Sequence, residues 1–466
     1  MAKPIFIGGT SSHAGKSWMA TAICAWLRSR GVRVAPFKAQ NMSNNSYPCK
    51  AGGEIGRAQV AQAWACGLEP EPAMNPILLK PHAEGGSQIV VNGKVWKTLS
   101  AREYYENHEF LRGVVLDAYE DLASRFDVVV IEGAGSVTEL NLRRFDLVNL
   151  SLVTRLAARW LLVGDIERGG VFGSIIGTVG LLTAEERSLL RALAVNKFRG
   201  DLSLFDEGRT ILEARTQCPC LGVFPYASDI QLDDEDSLSI PAGASLLGVE
   251  RGQRCAIIRF PRISNTTDFR RLPSPAWITA PVSDDFDFIF LPGTKSTAAD
   301  LEWLRERGLG RWLKEQHERG ATLVGICGGF QMLGRTIEDP LGMESAQGSV
   351  AGLGFLPVDT ILSSHKTTRV VRALTPGGIG YSAYEIHLGE TTHDGPDLAP
   401  FARFEDGSGE GVRVGRVVGT YLHGALEQDA VLRDLGISAR SPAASSYARI
   451  VDWFAPFGDR FEELFL

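Results

Sequence analysis

Apolar positions in this chain come in short, nearly continuous runs separated by longer helix-patterned stretches. In the first half the runs are Pro4–Gly8, Val32–Phe37, Asp127–Ile131, Trp160–Gly164 and Ala192–Asn196. Runs that are apolar on both faces predict strands of a parallel sheet covered by crossover helices on either side. Between residues 227 and 248 the pattern breaks: Asp233-Asp234-Glu235-Asp236 is a charge cluster with no helical period around it. That break predicts a linker. The runs resume at Cys255–Phe260, Phe286–Leu291 and Thr322–Ile326. The pattern predicts an α/β protein of two doubly wound, mostly parallel-sheet domains at residues 1–230 and 251–466, joined by a linker at 231–250.

Composition narrows the class of function. The 466 residues carry 48 Lys+Arg against 55 Asp+Glu, a formal net charge of −7. A mildly acidic chain is not built to coat nucleic acid or an anionic membrane, so neither is expected as a partner. No stretch approaches the roughly 18 apolar residues that cross a bilayer. The apolar run at the start is too short for a signal-peptide core, and a cytoplasmic location is expected. The seven cysteines are odd in number and scattered, which argues against a disulfide framework or a structural zinc site. Glycine is generous, at 51 residues, and its placement matters where backbone must approach a ligand.

The first strand runs into Gly9-Thr10-Ser11-Ser12-His13-Ala14-Gly15-Lys16-Ser17, and a helix-like stretch follows. Glycines let backbone N–H groups turn toward phosphate oxygens, and the helix N-terminus adds partial positive charge. Lys16 supplies a cation and Ser17 a Mg²⁺ ligand, so Gly9, Gly15, Lys16 and Ser17 are the expected phosphate-binding set. The loop is one residue longer than the common P-loop pattern, and in this it resembles the dethiobiotin-synthetase-like branch. The run Asp127–Ile131 ends in Glu132-Gly133-Ala134-Gly135. A carboxylate there faces the crevice where nucleotide and Mg²⁺ would lie, so Glu132 is the expected metal partner of Ser17. Asn196 and Lys197 also follow a strand, in a stretch resembling a nucleotide base-recognition loop.

Two further segments carry chemistry. Lys38-Ala39-Gln40-Asn41-Met42-Ser43-Asn44-Asn45-Ser46 follows the second strand and is dense in uncharged polar side chains. Such a loop can hydrogen-bond a ligand rich in amides and carboxylates, with Lys38 paired to an anion. In Thr322-Leu323-Val324-Gly325-Ile326-Cys327-Gly328-Gly329-Phe330-Gln331, a strand runs into a tight turn with Cys327 at its apex and a helix beyond. Small neighbours expose the thiol, the helix N-terminus favours thiolate, and the following N–H groups can stabilise an oxyanion. The thiolate needs a proton shuttle, and His423, beyond the strand-like run Gly415–Tyr421, has the placement of one.

The second half resembles the class I glutamine amidotransferases. Gly325–Gln331 is similar to their nucleophile elbow, His423 to their histidine, and Leu291-Pro292-Gly293-Thr294-Lys295-Ser296 to the segment carrying the oxyanion hole. The resemblance implies that the Gly293 and Gly328 backbones form that hole. Many such enzymes carry Glu two residues after the histidine, where this chain has Ala425. That difference resembles the cobyrinic and cobyric acid synthase branch, which works with a Cys–His pair, and it leaves open what orients His423. Along its whole length the chain resembles the cobyric acid synthases of cobalamin biosynthesis, in Lys38–Ser46, Met74–Pro81, Glu132–Gly135, Asp165–Gly170 and Asn196–Asp201. That resemblance implies ATP, Mg²⁺ and L-glutamine as reactants and cofactor, and a small-molecule corrinoid as substrate. It implies that Lys38, Gln40, Asn41, Asn44 and Asn45 meet the corrinoid. The implied activity is amidation of side-chain carboxylates of adenosylcobyrinic acid a,c-diamide, through acyl phosphates. The alternatives are the sibling cobyrinic acid a,c-diamide synthases and a partition-type P-loop ATPase carrying a non-catalytic amidotransferase-like module.

Overall fold

The computed structural model describes residues 2–81, 86–227, 230, 232, 252–344, 348–393, 398–440 and 446–466. The five apolar runs of the first half all become strands. With Cys220–Pro225 they form one six-stranded, all-parallel sheet. Its order is Cys220–Pro225, Leu190–Phe198, Arg159–Asp165, Lys3–Gly9, Val128–Glu132, Val34–Phe37. Lys3–Gly9 is central, so the loop leaving its C-terminal end opens over the middle of the sheet, where ligands bind in doubly wound folds. Two apolar cores cover the faces, one built on Phe6, Phe37 and Trp160, the other on Ile5, Ile7 and the helix Lys16–Ser29.

The second half builds a sheet in the order Ala276–Ile278, Cys255–Ile258, Phe288–Leu291, Thr322–Ile326, Val417–Thr420, Val412–Val414, parallel except for the last pair. Here too the apolar runs are the strands. Besides two small two-stranded sheets, the structure adds two larger, mainly antiparallel sheets that hydrophobic pattern alone did not predict. Ile77–Pro81, Ser87–Val91 and Lys94–Leu99 extend the first half, and the long hairpin Val358–Leu374 with Gly380–His393 belongs to the second. The hairpin's outer positions alternate irregularly between half-buried and exposed, so no clean two-residue period marks it.

The expected assignment of residues 251–466 to one unit is corrected at its end. The helices Ser446–Phe454 and Gly458–Phe465 return to the first half and complete its second core. Phe454 and Phe461 pack edge-on against Trp26, and Trp453 against Trp18. Each buried phenylalanine contributes about 2–3 kcal/mol of transfer free energy. The linker expected at 231–250 lies, apart from Leu232, outside the described residues. Among those described, no helix is long and apolar enough to cross a membrane.

Candidate active sites

The phosphate loop bends because Gly15 sits at φ +97°, and a Cβ there would stand 2.0 Å from Asn196 Nδ2. Only glycine fits that position. Asn196 packs behind the loop and donates to the Ala14 carbonyl (3.0 Å). Lys16 lies over Gly9 and donates to the Ser11 (3.0 Å) and Gly135 (2.8 Å) carbonyls. Ser17 Oγ donates to Glu132 Oε1 (2.7 Å), so the two expected metal partners adjoin. Glu132 is fully buried, and Lys38 Nζ stands 2.9 Å from its Oε1 while Gln62 donates to Oε2. Burial raises this carboxyl, but the Lys38 charge and the Ser17, Lys38 and Gln62 hydrogen bonds hold it below the usual carboxylate range. Lys197, at φ +64°, pairs with Asp165 (2.8 Å) at the rim.

A cavity of about 1250 Å³ opens over this loop. Its lining includes Lys16, Ser17, Lys38, Gln40, Asn41, Asn196 and Lys197 from the first half and Thr266, Thr267, Phe269 and Trp277 from the second. The polar segment after Lys38 therefore divides. Gln40, which accepts from the Tyr104 hydroxyl, and Asn41, which donates to Gln59 (2.7 Å), line the cavity. Asn44 and Asn45 do not line it. Asn45 Oδ1 instead accepts from Asn265 N–H (2.7 Å) and Ser46 N–H donates to Asn265 Oδ1 (3.3 Å), tying the two halves together. A loop's composition shows its capacity for hydrogen bonds and says nothing of which partner uses it.

Cys327 stands at φ +53°, ψ −113°, between the strand Thr322–Ile326 and the helix Gly328–Leu333. The turn is this tight because a Cβ on Gly329 would stand 1.9 Å from the Leu291 carbonyl oxygen. The Gly293 and Gly328 backbones adjoin the thiol. A Cβ on Gly293 would lie 3.1 Å from His423 Cε1 and 3.6 Å from Cys327 Cβ, and one on Gly328 would lie 3.2 Å from Thr294 N. His423 is wholly buried at the end of Val417–Thr420, and its ring stacks on Tyr384 (5.3 Å, 22°).

The partner of His423 escaped sequence reasoning. Asp268 Oδ2 lies 2.8 Å from His423 Nδ1, and Asp268 Oδ1 accepts from Gly424 N–H (2.6 Å). Asp268 is 1% exposed and sits 155 residues before the histidine on the short turn Thr266–Phe269. Burial alone would lower the imidazole. The Asp268 charge and hydrogen bond, then Cys327, outweigh it and raise His423 to about 10. The buried Glu410, pushed up to about 8 by burial, does not touch the imidazole. It accepts from Thr420 Oγ1 and Tyr421 N–H, both at 2.7 Å. The geometry is a Cys–His–Asp constellation in which the carboxylate fixes the tautomer and favours the imidazolium.

Family comparisons agree on both halves. Residues 5–240 match the model of the CobQ/CobB/MinD/ParA nucleotide binding domain, and residues 254–431 that of the CobB/CobQ-like glutamine amidotransferase domain. Cobyric acid synthase of Rhodococcus jostii is 45% identical over 441 residues, covering 92% of this chain and 85% of the relative. That of Syntrophobacter fumaroxidans is 42% identical over 467 residues, covering 94% and 91%. The chain belongs to the cobyric acid synthase family. As a member of that family it is a glutamine-hydrolysing carbon–nitrogen ligase that uses ATP. A solved glutamine amidotransferase aligns with 33% of this chain and 80% of its own length, at 22% identity and a TM-score of 0.27, a likeness too slight to build on.

Proposed function

We propose that the chain amidates side-chain carboxylates of adenosylcobyrinic acid a,c-diamide to give adenosylcobyric acid, with glutaminase chemistry at Cys327 and carboxyl activation at the phosphate loop. The Cys327 thiolate attacks the glutamine amide, and the Gly293 and Gly328 backbones receive the oxyanion. His423 gives its proton to the departing ammonia, and water then releases glutamate from the thioester. In the first half Lys16 steadies the phosphates of ATP while a corrinoid carboxylate takes the γ-phosphoryl group. Ammonia displaces phosphate from the acyl phosphate. Activation is required because a carboxylate at neutral pH is a very poor acceptor for ammonia.

Ser17 and Glu132 would hold Mg²⁺ together with the phosphates. One carboxylate and one hydroxyl fit an ion that keeps most of its shell in water and phosphate oxygen. Bound there, the ion would neutralise charge developing on the phosphoryl group. Lys38, already on Glu132 Oε1, stands where it can pair with a phosphate or the substrate carboxylate. The corrinoid would lie on the cavity rim. Exposed Met42, Leu140 and Leu142 and the stacked Tyr105–Phe145 pair (4.5 Å, 21°) offer flat apolar surface there, and Arg143 faces the same space.

The observation that carries this reading is the cavity walled by both halves, with the phosphate loop on one side and the turn bearing Asp268 on the other. Mass spectrometry of the products formed from the a,c-diamide with ATP and glutamine tests it. Successive single-amide mass changes are expected. Turnover of cobyrinic acid but not of its a,c-diamide would transfer the chain to the sibling reaction.

A further inference from the structure

A hydrogen bond fixes one edge of an imidazole and leaves the ring free to pivot about that bond. His423 has Asp268 Oδ2 on its Nδ1 edge (2.8 Å), and Tyr384 supplies the face, with centroids 5.3 Å and planes 22° apart. The two residues also exchange backbone hydrogen bonds, Tyr384 N–H to the His423 carbonyl (3.0 Å) and His423 N–H to the Tyr384 carbonyl (2.9 Å). The Tyr384 hydroxyl does not orient its own ring, because it is buried with no hydrogen-bond partner among the described residues. The orienting contacts come from the first half. The Tyr47 ring lies 4.7 Å from the Tyr384 ring, and the Arg57 guanidinium lies 5.9 Å from it. Arg57 also stands 5.0 Å over Tyr47 and 5.2 Å over Trp64. A guanidinium is attracted to aromatic faces, more strongly where water is excluded, and Arg57 is 3% exposed. The arginine is itself firmly held. It opens the nine-residue helix Arg57–Ala65, in which Gln59 accepts from Asn41 (2.7 Å) and Gln62 donates to Glu132. Its N–H donates to the Asn45 carbonyl (3.0 Å), and its Nη2 stands 3.6 Å from Glu427 Oε1, just beyond His423 in the chain.

We propose that Arg57, from the first half, is a positioning residue of the glutaminase: it packs the Tyr47 and Tyr384 rings so that Tyr384 holds the His423 ring in the plane from which it serves Cys327. The inference rests on the glutaminase reading of Cys327 and His423. Arg57 acts through Tyr384 and on no reacting atom. Without it glutamine still binds, but the imidazole is less often aligned with the thiol and the departing nitrogen. The loss therefore falls on kcat and spares KM.

The test follows glutamine hydrolysis by the whole enzyme with corrinoid and ATP present, and amidation from ammonium alone in parallel. Arg57→Met keeps the apolar stem and removes the cation. Its kcat for glutamine hydrolysis should fall about tenfold, with the KM for glutamine and the rate of amidation from ammonium each within about twofold of the parent. Arg57→Lys keeps a cation but loses the planar fork, and its kcat should fall only about threefold. Tyr384→Leu removes the stacking face and should lower kcat about thirtyfold. Adding Arg57→Met to Tyr384→Leu should change kcat by less than about twofold, because the arginine works through that ring. Unchanged kcat in Arg57→Met overturns the proposal, and so does a rise in KM in place of the fall in kcat. An equal fall from both nitrogen sources, or full additivity with Tyr384→Leu, overturns it as well, because Arg57 would then support the fold at large. If the methionine variant does not fold, the lysine variant decides alone by the same split between kcat and KM. A parent that hydrolyses no glutamine would refute the glutaminase reading instead.

Discussion

Glu132 and His423 face the same physical problem with opposite signs. Both are wholly buried, and burial disfavours the charged form of each. Glu132 stays charged through several partners: Lys38, Ser17 and Gln62. His423 relies chiefly on one, Asp268, with Cys327 adding to it. The surroundings account for the contrast. Ser17 and Lys38 line a cavity of about 1250 Å³ where phosphates would arrive, so the contacts of Glu132 must be exchangeable. His423 is roofed by Tyr384 and meets only a small substrate, so a single fixed carboxylate serves it better. An open site spreads its charge stabilisation, and a closed site concentrates it.

The sharpest way to separate the two centres is Cys327→Ala. Glutamine-dependent amidation should fall by at least about four orders of magnitude, while amidation from free ammonia persists. Loss of both in a folded variant would break the division of labour. Asp268→Asn strikes the concentrated partner. Glutamine hydrolysis should fall about a thousandfold to ten-thousandfold, again sparing free ammonia. Its pH profile carries the sign. Asp268 holds the imidazole up at about 10, so without that charge the proton leaves at lower pH. The alkaline limb of kcat/KM should move toward neutrality. A limb that stays in place would mean that Asp268 does not set the protonation of His423.

How far each centre could be read from sequence follows from how its parts are spaced. Gly9, Gly15, Lys16 and Ser17 are contiguous, and Glu132 ends an apolar strand, so local pattern reaches them all. Cys327 also lies within one strand–turn–helix unit. Asp268 could not be found that way. It sits in Ser264-Asn265-Thr266-Thr267-Asp268, an ordinary polar stretch, and meets His423 only through the pairing of distant elements. Ala425 in place of the usual Glu is equally compatible with a bare Cys–His pair, so the sequence leaves open what orients His423. The same limit explains the last helices. The apolar spacing of Ile450, Phe454, Phe461 and Phe465 marks buried faces, but nothing local says that those faces cover Trp26. Asn45 shows a related limit, since a docked domain and a polar ligand ask for the same side chains, and its Oδ1 accepts from Asn265 N–H of the second half.

At the distributed centre a single deletion should cost less. Lys16→Ala removes one cation from a site that also has Lys38 and backbone N–H groups. Amidation from either nitrogen source should fall about a hundredfold to a thousandfold, measured as phosphate and amide formed together. Glutamine hydrolysis should continue without corrinoid turnover. Amidation retained at the parental rate would remove Lys16 from the phosphate site.

The smallest effect belongs to the seam that holds the two centres together. Glu54 is 1% exposed and is clamped by Lys80 from its own half and Lys366 from the other. Burial raises its carboxyl, but Lys366, then Lys80, outweigh burial and hold it well below the usual carboxylate range. Lys366→Met leaves the Lys80–Glu54 pair intact, so the loss should stay near about 1–2 kcal/mol, short of the roughly 3–5 kcal/mol that stripping a buried charge of all partners costs. The pH dependence distinguishes this from lost packing. A carboxyl depressed in the folded state contributes stability above its unfolded value, about 4.3, and that contribution drains away as pH falls toward the folded value. The Tm gap between parent and Lys366→Met should therefore be full at neutral pH and narrow below about pH 4. A gap equally wide at both would mean that the Lys366 stem, and not its charge, holds the halves together.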